Sequence, residues 1–97
     1  MKKLLPLALL LAAGSAGAQS HLDKVLQQKT LEVCTTGDYK PYTFLKEDGS
    51  YEGIDIDMAE SLAKSLGAKV KWVKTSWKTL TPDFVGGKCD IAMGGIS

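Results

Sequence analysis

The chain has no arginine: all 12 of its basic residues are lysine. It therefore lacks the planar five-donor fork that grips a carboxylate or phosphate at two points, and lysine substitutes poorly for it. A single histidine and two distant cysteines give no metal-ligand spacing. No Walker-type glycine loop and no nucleophile paired with a base is present, which sets aside nucleotide-driven and hydrolytic chemistry. Charge of either sign is not in excess, with a formal net of +1, so no surface for nucleic acid or anionic membrane is expected. Long hydrophobic runs are also missing. The longest, Leu4 to Ala13, is interrupted by Pro6 and falls far short of the roughly 20 residues that span hydrocarbon.

That run has another reading. Met1-Lys2-Lys3 gives a positive start, and Ala16-Gly17-Ala18 places small residues at both positions a signal peptidase reads. The segment 1–18 is expected to be an export signal cleaved after Ala18. Without Lys2 and Lys3 the formal charge moves from +1 to −1. The remaining residues 19–97 fall below the usual domain size of about 100 to 150 residues and bury only a modest core. Export raises the prior for a bridge between Cys34 and Cys89. Against it, strand placement puts Cys34 in the middle of one strand and Cys89 at the start of a parallel neighbour. That offset of about three residues, at roughly 3.3 Å each, exceeds a disulfide's reach. Two buried thiols are the expectation.

Hydrophobic spacing gives the elements. His21 to Gln28 reads as a helix with Leu22, Val25 and Leu26 on one face, and Leu31 to Thr35 as a strand. Thr36 to Pro41 is rich in turn formers and reads as a loop. Tyr42 to Leu45 and Ser50 to Glu52 flank Glu47-Asp48-Gly49 as a hairpin. From Asp55 to Leu66 the residues Ile56, Ala59, Leu62, Ala63 and Leu66 recur at helical spacing. Asp55 or Asp57 is suited to cap that helix and Gly67 to end it. Lys69 to Lys74 alternates as a strand with one wet face. Trp77 to Val85 reads as a helix with Leu80, Phe84 and Val85 inward and Pro82 near its start. Gly86-Gly87 stops it, and Cys89 to Met93 forms a last short strand. Strands alternating with helices imply an α/β fold, a parallel sheet with flanking helices and right-handed crossovers. No internal repeat, low-complexity segment or domain linker interrupts it.

In such sheets ligands gather beyond the carboxyl ends of the strands, where Thr36 to Tyr39, Thr75 to Trp77 and Gly94 to Ser97 all fall. Tyr39 can lay its ring over a ligand or pack on Pro41 as a loop anchor. Asp38 can close the loop as an Asx turn. It can also orient an amino group or, if burial raises its pKa, donate a proton. Trp77 can form an opposite wall or cover the core, and Thr75 and Ser76 can be capping residues alone. Gly94, Gly95 and Ser97 can cradle a carboxylate with backbone N–H groups and a hydroxyl, although a Gly-Gly pair is by itself a tight turn. Lys40 reads more simply as a solvated charge, Met93 as core, and His21 lies far in sequence from every cleft segment.

Three blocks in fixed order carry a resemblance: Thr35-Thr36-Gly37-Asp38-Tyr39-Lys40-Pro41-Tyr42, Gly53-Ile54-Asp55-Ile56-Asp57-Met58-Ala59, and Asp90-Ile91-Ala92-Met93-Gly94-Gly95-Ile96-Ser97. Together they resemble the first lobe of periplasmic solute-binding proteins of the polar-amino-acid type, and most closely the cyclohexadienyl dehydratases that share that fold. The resemblance covers nearly all residues after the leader. It implies a periplasmic-binding-protein-like lobe truncated to part of the first lobe, over 19–97, and periplasmic localisation. It also implies aromatic walls at Tyr39 and Trp77, with Gly94, Gly95 and Ser97 as the third ligand-binding segment. Many transport members carry a different residue where this chain has Asp38, and serine or similar residues where it has Gly94 and Gly95. The family arginine that forks onto the ligand carboxylate would lie a few residues past Ser97.

As a dehydratase, the implied reaction converts prephenate to phenylpyruvate or arogenate to phenylalanine, needs no cofactor and no metal, and leaves Asp38 as the catalytic candidate in this half. An acid from a second lobe is an equal candidate. As a transport component, the same cleft would hold a polar amino acid and hand it to a membrane permease. A product of 97 residues alone with neither activity is the third reading. In each active case the partner is a small carboxylate or amino-acid ligand, with no nucleic acid.

Overall fold

The computed structural model describes residues 20–96. The expected export signal, its cleavage point after Ala18, and Ser97 lie outside the described residues. The elements in chain order are α1 (His21–Gln28), β1 (Thr30–Thr35), β2 (Asp38–Tyr39), β3 (Thr43–Leu45), β4 (Tyr51–Glu52), α2 (Ile54–Ser65), β5 (Lys69–Lys74), α3 (Leu80–Val85) and β6 (Ile91–Ala92).

Three strands make the expected parallel sheet in the order β5-β1-β6. Thr30 to Thr35 run in register with Lys69 to Lys74, while Val33 and Cys34 pair with Ile91 and Ala92. Because strand side chains alternate faces, β1 serves two cores. Leu31 and Val33 join Val25 of α1 and Ala59 and Ala63 of α2 on one face. Cys34 joins Leu80 of α3 and Cys89 on the other. The small antiparallel sheet β2-β3-β4 holds the expected hairpin. It also holds a strand the sequence reading missed, since Asp38–Tyr39, read as loop, pairs with Thr43–Phe44.

Several expectations need correction. Cys34 and Cys89 are bridged, with Cα atoms 5.6 Å apart. The argument from strand offset fails because Cys89 is not in a strand. Strand β6 begins only at Ile91, and Cys89 approaches from the α3 side of the sheet, free of the ladder's register. Helix α3 is also shorter than read, starting at Leu80, with Trp77 in the preceding turn. Phe84 and Val85 are exposed at 46% and 77%, not inward. On the two longer helices the apolar stripes are only partly used, with Val25, Ile56, Ala59 and Ala63 buried and Leu22, Leu26 and Leu62 exposed.

Neither Asp55 nor Asp57 caps α2, whose N-cap is Gly53 with no side-chain cap bond. The reason lies in the preceding loop: Ile54 N–H donates to the Pro41 carbonyl at 2.9 Å and Asp55 N–H to the Tyr42 carbonyl at 3.0 Å. Two of the helix's orphan donors are thus already satisfied. So close an approach requires glycine at 53, where φ is +141° and any Cβ would run into the Tyr42 carbonyl. At the other end Gly67, with φ of +68°, follows the helix as expected.

Candidate functional site

The carboxyl ends of β1, β5 and β6 deliver three segments to one rim. From β1 the chain passes Thr36 and Gly37 into β2, which presents Asp38 and Tyr39. From β5 it passes Thr75 and Ser76 to Trp77, held by a compact turn. Leu80 N–H donates to the Ser76 carbonyl at 2.8 Å, and Thr79 N–H to Ser76 Oγ at 3.2 Å. Ser76 thus caps that turn. From β6, Met93 N–H donates to the Cys34 carbonyl at 3.0 Å, and Gly94-Gly95 turns directly after it.

Tyr39 is the centre of this rim. Its ring meets Trp77 edge-on with centroids 5.9 Å apart and Tyr42 edge-on at 5.1 Å, the arrangement aromatic quadrupoles favour. The indole Nε1–H of Trp77 donates to Asp38 Oδ1 at 2.8 Å. Tyr39 and Trp77 are still 45% and 48% exposed, so much of each side chain meets solvent. Gly95 lies beneath the rings: a Cβ on it would come within 2.6 Å of the Tyr39 ring and 2.9 Å of Tyr42, and its φ is +72°. Both the closeness and the backbone conformation demand glycine. Gly94 is buried against Thr35 and Thr43, whose hydroxyls hydrogen-bond each other at 2.7 Å.

The structure thus brings together Asp38, Tyr39, Trp77, Gly94 and Gly95. Asp38 is exposed, not buried as proton donation from it would favour, and its carboxylate is engaged by the indole. Gly95 N–H is engaged too, donating to Asp55 Oδ2 at 2.7 Å. Lys40 Nζ sits 4.0 Å over the Phe44 ring, occupied by a cation–π contact. His21 is at the opposite end of the sheet, with Nδ1 3.2 Å from Asp90.

Two rim residues were missed in the sequence: Tyr42, read as a hairpin residue, and Asp55, read as a cap. The signal for Tyr42 was its place after a Lys-Pro step that turns the chain back. For Asp55 no local signal existed, because its partner is 40 positions away.

Residues 31–97 match the model of the bacterial extracellular solute-binding proteins, family 3. The chain belongs to that family. Membership places this family 3 chain among the extracellular solute-binding proteins. It is 52% identical to a cyclohexadienyl dehydratase of Pseudomonas aeruginosa, covering 94% of this chain and 34% of that protein. An octopine-binding periplasmic protein of Rhizobium meliloti is 30% identical, covering 100% of this chain and 30% of the relative. Among solved structures, an ancestral cyclohexadienyl dehydratase superimposes with a TM-score of 0.77 at 56% identity, over 81% of this chain and 33% of the other. An ancestral cationic amino acid solute-binding protein gives 0.77 at 46%, over 80% and 34%. The family 3 chain spans about a third of the length of these relatives.

Proposed function

We propose that this chain supplies part of the first lobe, residues 19–97, of a cyclohexadienyl dehydratase acting on prephenate or arogenate. What supports this reading is the rim itself, with Tyr39, Trp77 and Gly95 joined at one sheet edge, on a chain 52% identical to a dehydratase against 30% for an octopine-binding relative. In the reaction the ring C–carboxylate bond breaks to release carbon dioxide. Its electron pair moves into the ring and expels the hydroxyl opposite, which leaves as water after taking a proton. Aromaticity drives the step. The protein need only hold the carboxylates, exclude bulk water and place one acid.

Within this half, Tyr39 and Trp77 would sandwich the ring and Gly94-Gly95-Ile96-Ser97 would line the floor. Asp38 has two possible parts. It fixes the indole of Trp77, and in a closed cleft it would be the donor of this lobe once a second lobe covers it. An acid from that lobe is the competing source of the proton. The export signal over 1–18, cut after Ala18, would deliver the protein to the periplasm.

A second reading has its own support in the ancestral cationic amino acid solute-binding protein, which shares the TM-score of 0.77. In it the cleft closes on an amino acid by hinge motion and presents it to a membrane permease. A chimera separates the two, with residues 20–97 replacing the matching third of the Pseudomonas aeruginosa dehydratase. Conversion of prephenate to phenylpyruvate, followed by absorbance, is the expected result. Calorimetric binding of an amino acid with no phenylpyruvate formed would decide for transport.

A further inference from the structure

We propose that Asp55 is a positioning residue of the rim: through Gly95 it sets the height and tilt of the Tyr39 ring. This rests on reading the rim as half of a ligand cleft. Three observations converge on it. Asp55 stands in the first turn of α2, yet its carboxylate makes no cap bond there. The first two amides of the helix, those of Ile54 and of Asp55 itself, are already taken by the Pro41 and Tyr42 carbonyls, and the Asp57 amide by the Gly53 carbonyl. The freed carboxylate instead accepts the Gly95 N–H at 2.7 Å, within the range of a charge-assisted bond.

Gly95 in turn has no space on its other side. The distances a Cβ would meet, 2.6 and 2.7 Å to Tyr39 and 2.9 Å to Tyr42, put the α-hydrogen that stands in its place against both rings. A shift of the glycine turn therefore moves Tyr39, and with it the edge that meets Trp77. Asp55 is the only side chain among the described residues with a hydrogen bond to this turn. Its position in the first turn also sets its negative charge at the positive end of the helix dipole.

The arrangement also reassigns Gly95. Its amide is committed inside the protein, so it is not offered to a ligand carboxylate. Gly95 serves the cleft as the floor on which an aromatic wall rests. Asp55 touches no ligand in this account and acts only through the turn.

The test is nuclear magnetic resonance on the chain, with Asp55→Ala, Asp55→Asn and Asp57→Ala. In the parent chain the Gly95 α-protons should carry a ring-current shift from Tyr39 and Tyr42, and the Gly95 amide should exchange slowly. Asp55→Ala should remove the shift and speed exchange at Gly95 by about tenfold or more, as expected for loss of a charged hydrogen bond. Asp55→Asn, which keeps an acceptor oxygen, should restore most of both. Asp57→Ala removes a charge from the same helical turn and should change neither. An unshifted or unprotected Gly95 in the parent chain overturns the proposal, as does equal behaviour of Asp55→Ala and Asp57→Ala. None of these signals requires a ligand. A failure of prephenate to react in the chimera therefore counts against the proposed function, while the Gly95 signals alone decide the role of Asp55.

Discussion

The two ends of the parallel sheet are built on opposite terms. At the amino end of β6, Asp90 exposes 2% of its side chain and is held from every side. It accepts the Glu32 N–H at 2.8 Å, contacts His21 at 3.2 Å and Lys24 at 3.6 Å, and its own N–H donates to the Glu32 carbonyl at 2.8 Å. One residue earlier, Cys89 is bridged to Cys34. At the carboxyl end the aromatic residues stand about half exposed, touching one another by their edges. Beside them Thr36 Oγ1 is buried with no hydrogen-bond partner, alone in this among the described side chains. Polar groups are fully matched at the closed end, while the rim proposed to take the ligand keeps exposed rings and one unpartnered hydroxyl. The stability of this small lobe is concentrated away from its rim.

The bridge at the closed end should carry the largest effect. The cysteines are separated by 55 positions, and closing a loop of that length stabilises the fold by about 4 kcal/mol through the unfolded chain. Cys89→Ser, or reductant, should lower stability in urea by that order. An unchanged midpoint would mean that the closed end does not anchor the lobe.

Next comes Asp90. Burial pushes its carboxyl towards a higher pKa, but the Glu32 N–H, the His21 ring and the Lys24 ammonium together outweigh this and hold it below the usual carboxylate range. Stabilisation from a lowered carboxyl is fully present above the ordinary value near 3.9 and is lost as pH falls through the lower folded value. Asp90→Ala should cost about 1 to 3 kcal/mol at pH 7, because the part-buried Glu32 N–H loses its charged partner. The variant should also flatten the acid limb of the stability curve. An acid limb as steep as that of the parent would assign the effect to other carboxylates.

The rim should respond differently. Thr36→Val removes an unpartnered buried hydroxyl at nearly equal volume and should stabilise the chain by about 1 kcal/mol in the same denaturation assay. Destabilisation would show that the hydroxyl is satisfied in solution. Trp77→Phe deletes the exposed bond to Asp38 and should change stability by less than about 0.5 kcal/mol. In the chimera it should weaken prephenate turnover, since the wall loses both area and its tether. A large loss of stability from this change would make Trp77 a core residue.

How much of this was legible in the sequence follows from the range of each interaction. Helices α1 and α2 and strands β1 and β5 were readable because their periodicity is local and long enough to count. Strand β2 was hidden, since Asp38 and Tyr39 look like turn formers and become a strand only by pairing with Thr43–Phe44. Phe84 and Val85 were misread because helical spacing indicates a face but not whether anything covers it. The disulfide was hidden for a related reason, since Cys89 precedes the ladder that begins at Ile91 and is free of its register. At the rim, Tyr39 and Trp77 were found because the residues that follow parallel strands collect at one edge. Asp55 was not, because its bond to Gly95 joins two segments that sequence places far apart.

The most direct measurement is a set of nuclear Overhauser contacts from the Tyr39 ring protons in the folded chain. Cross-peaks to both the Gly95 α-protons and the Trp77 indole are the predicted result. A Tyr39 ring that sees Pro41 and Tyr42 but neither of those would contradict the shared rim.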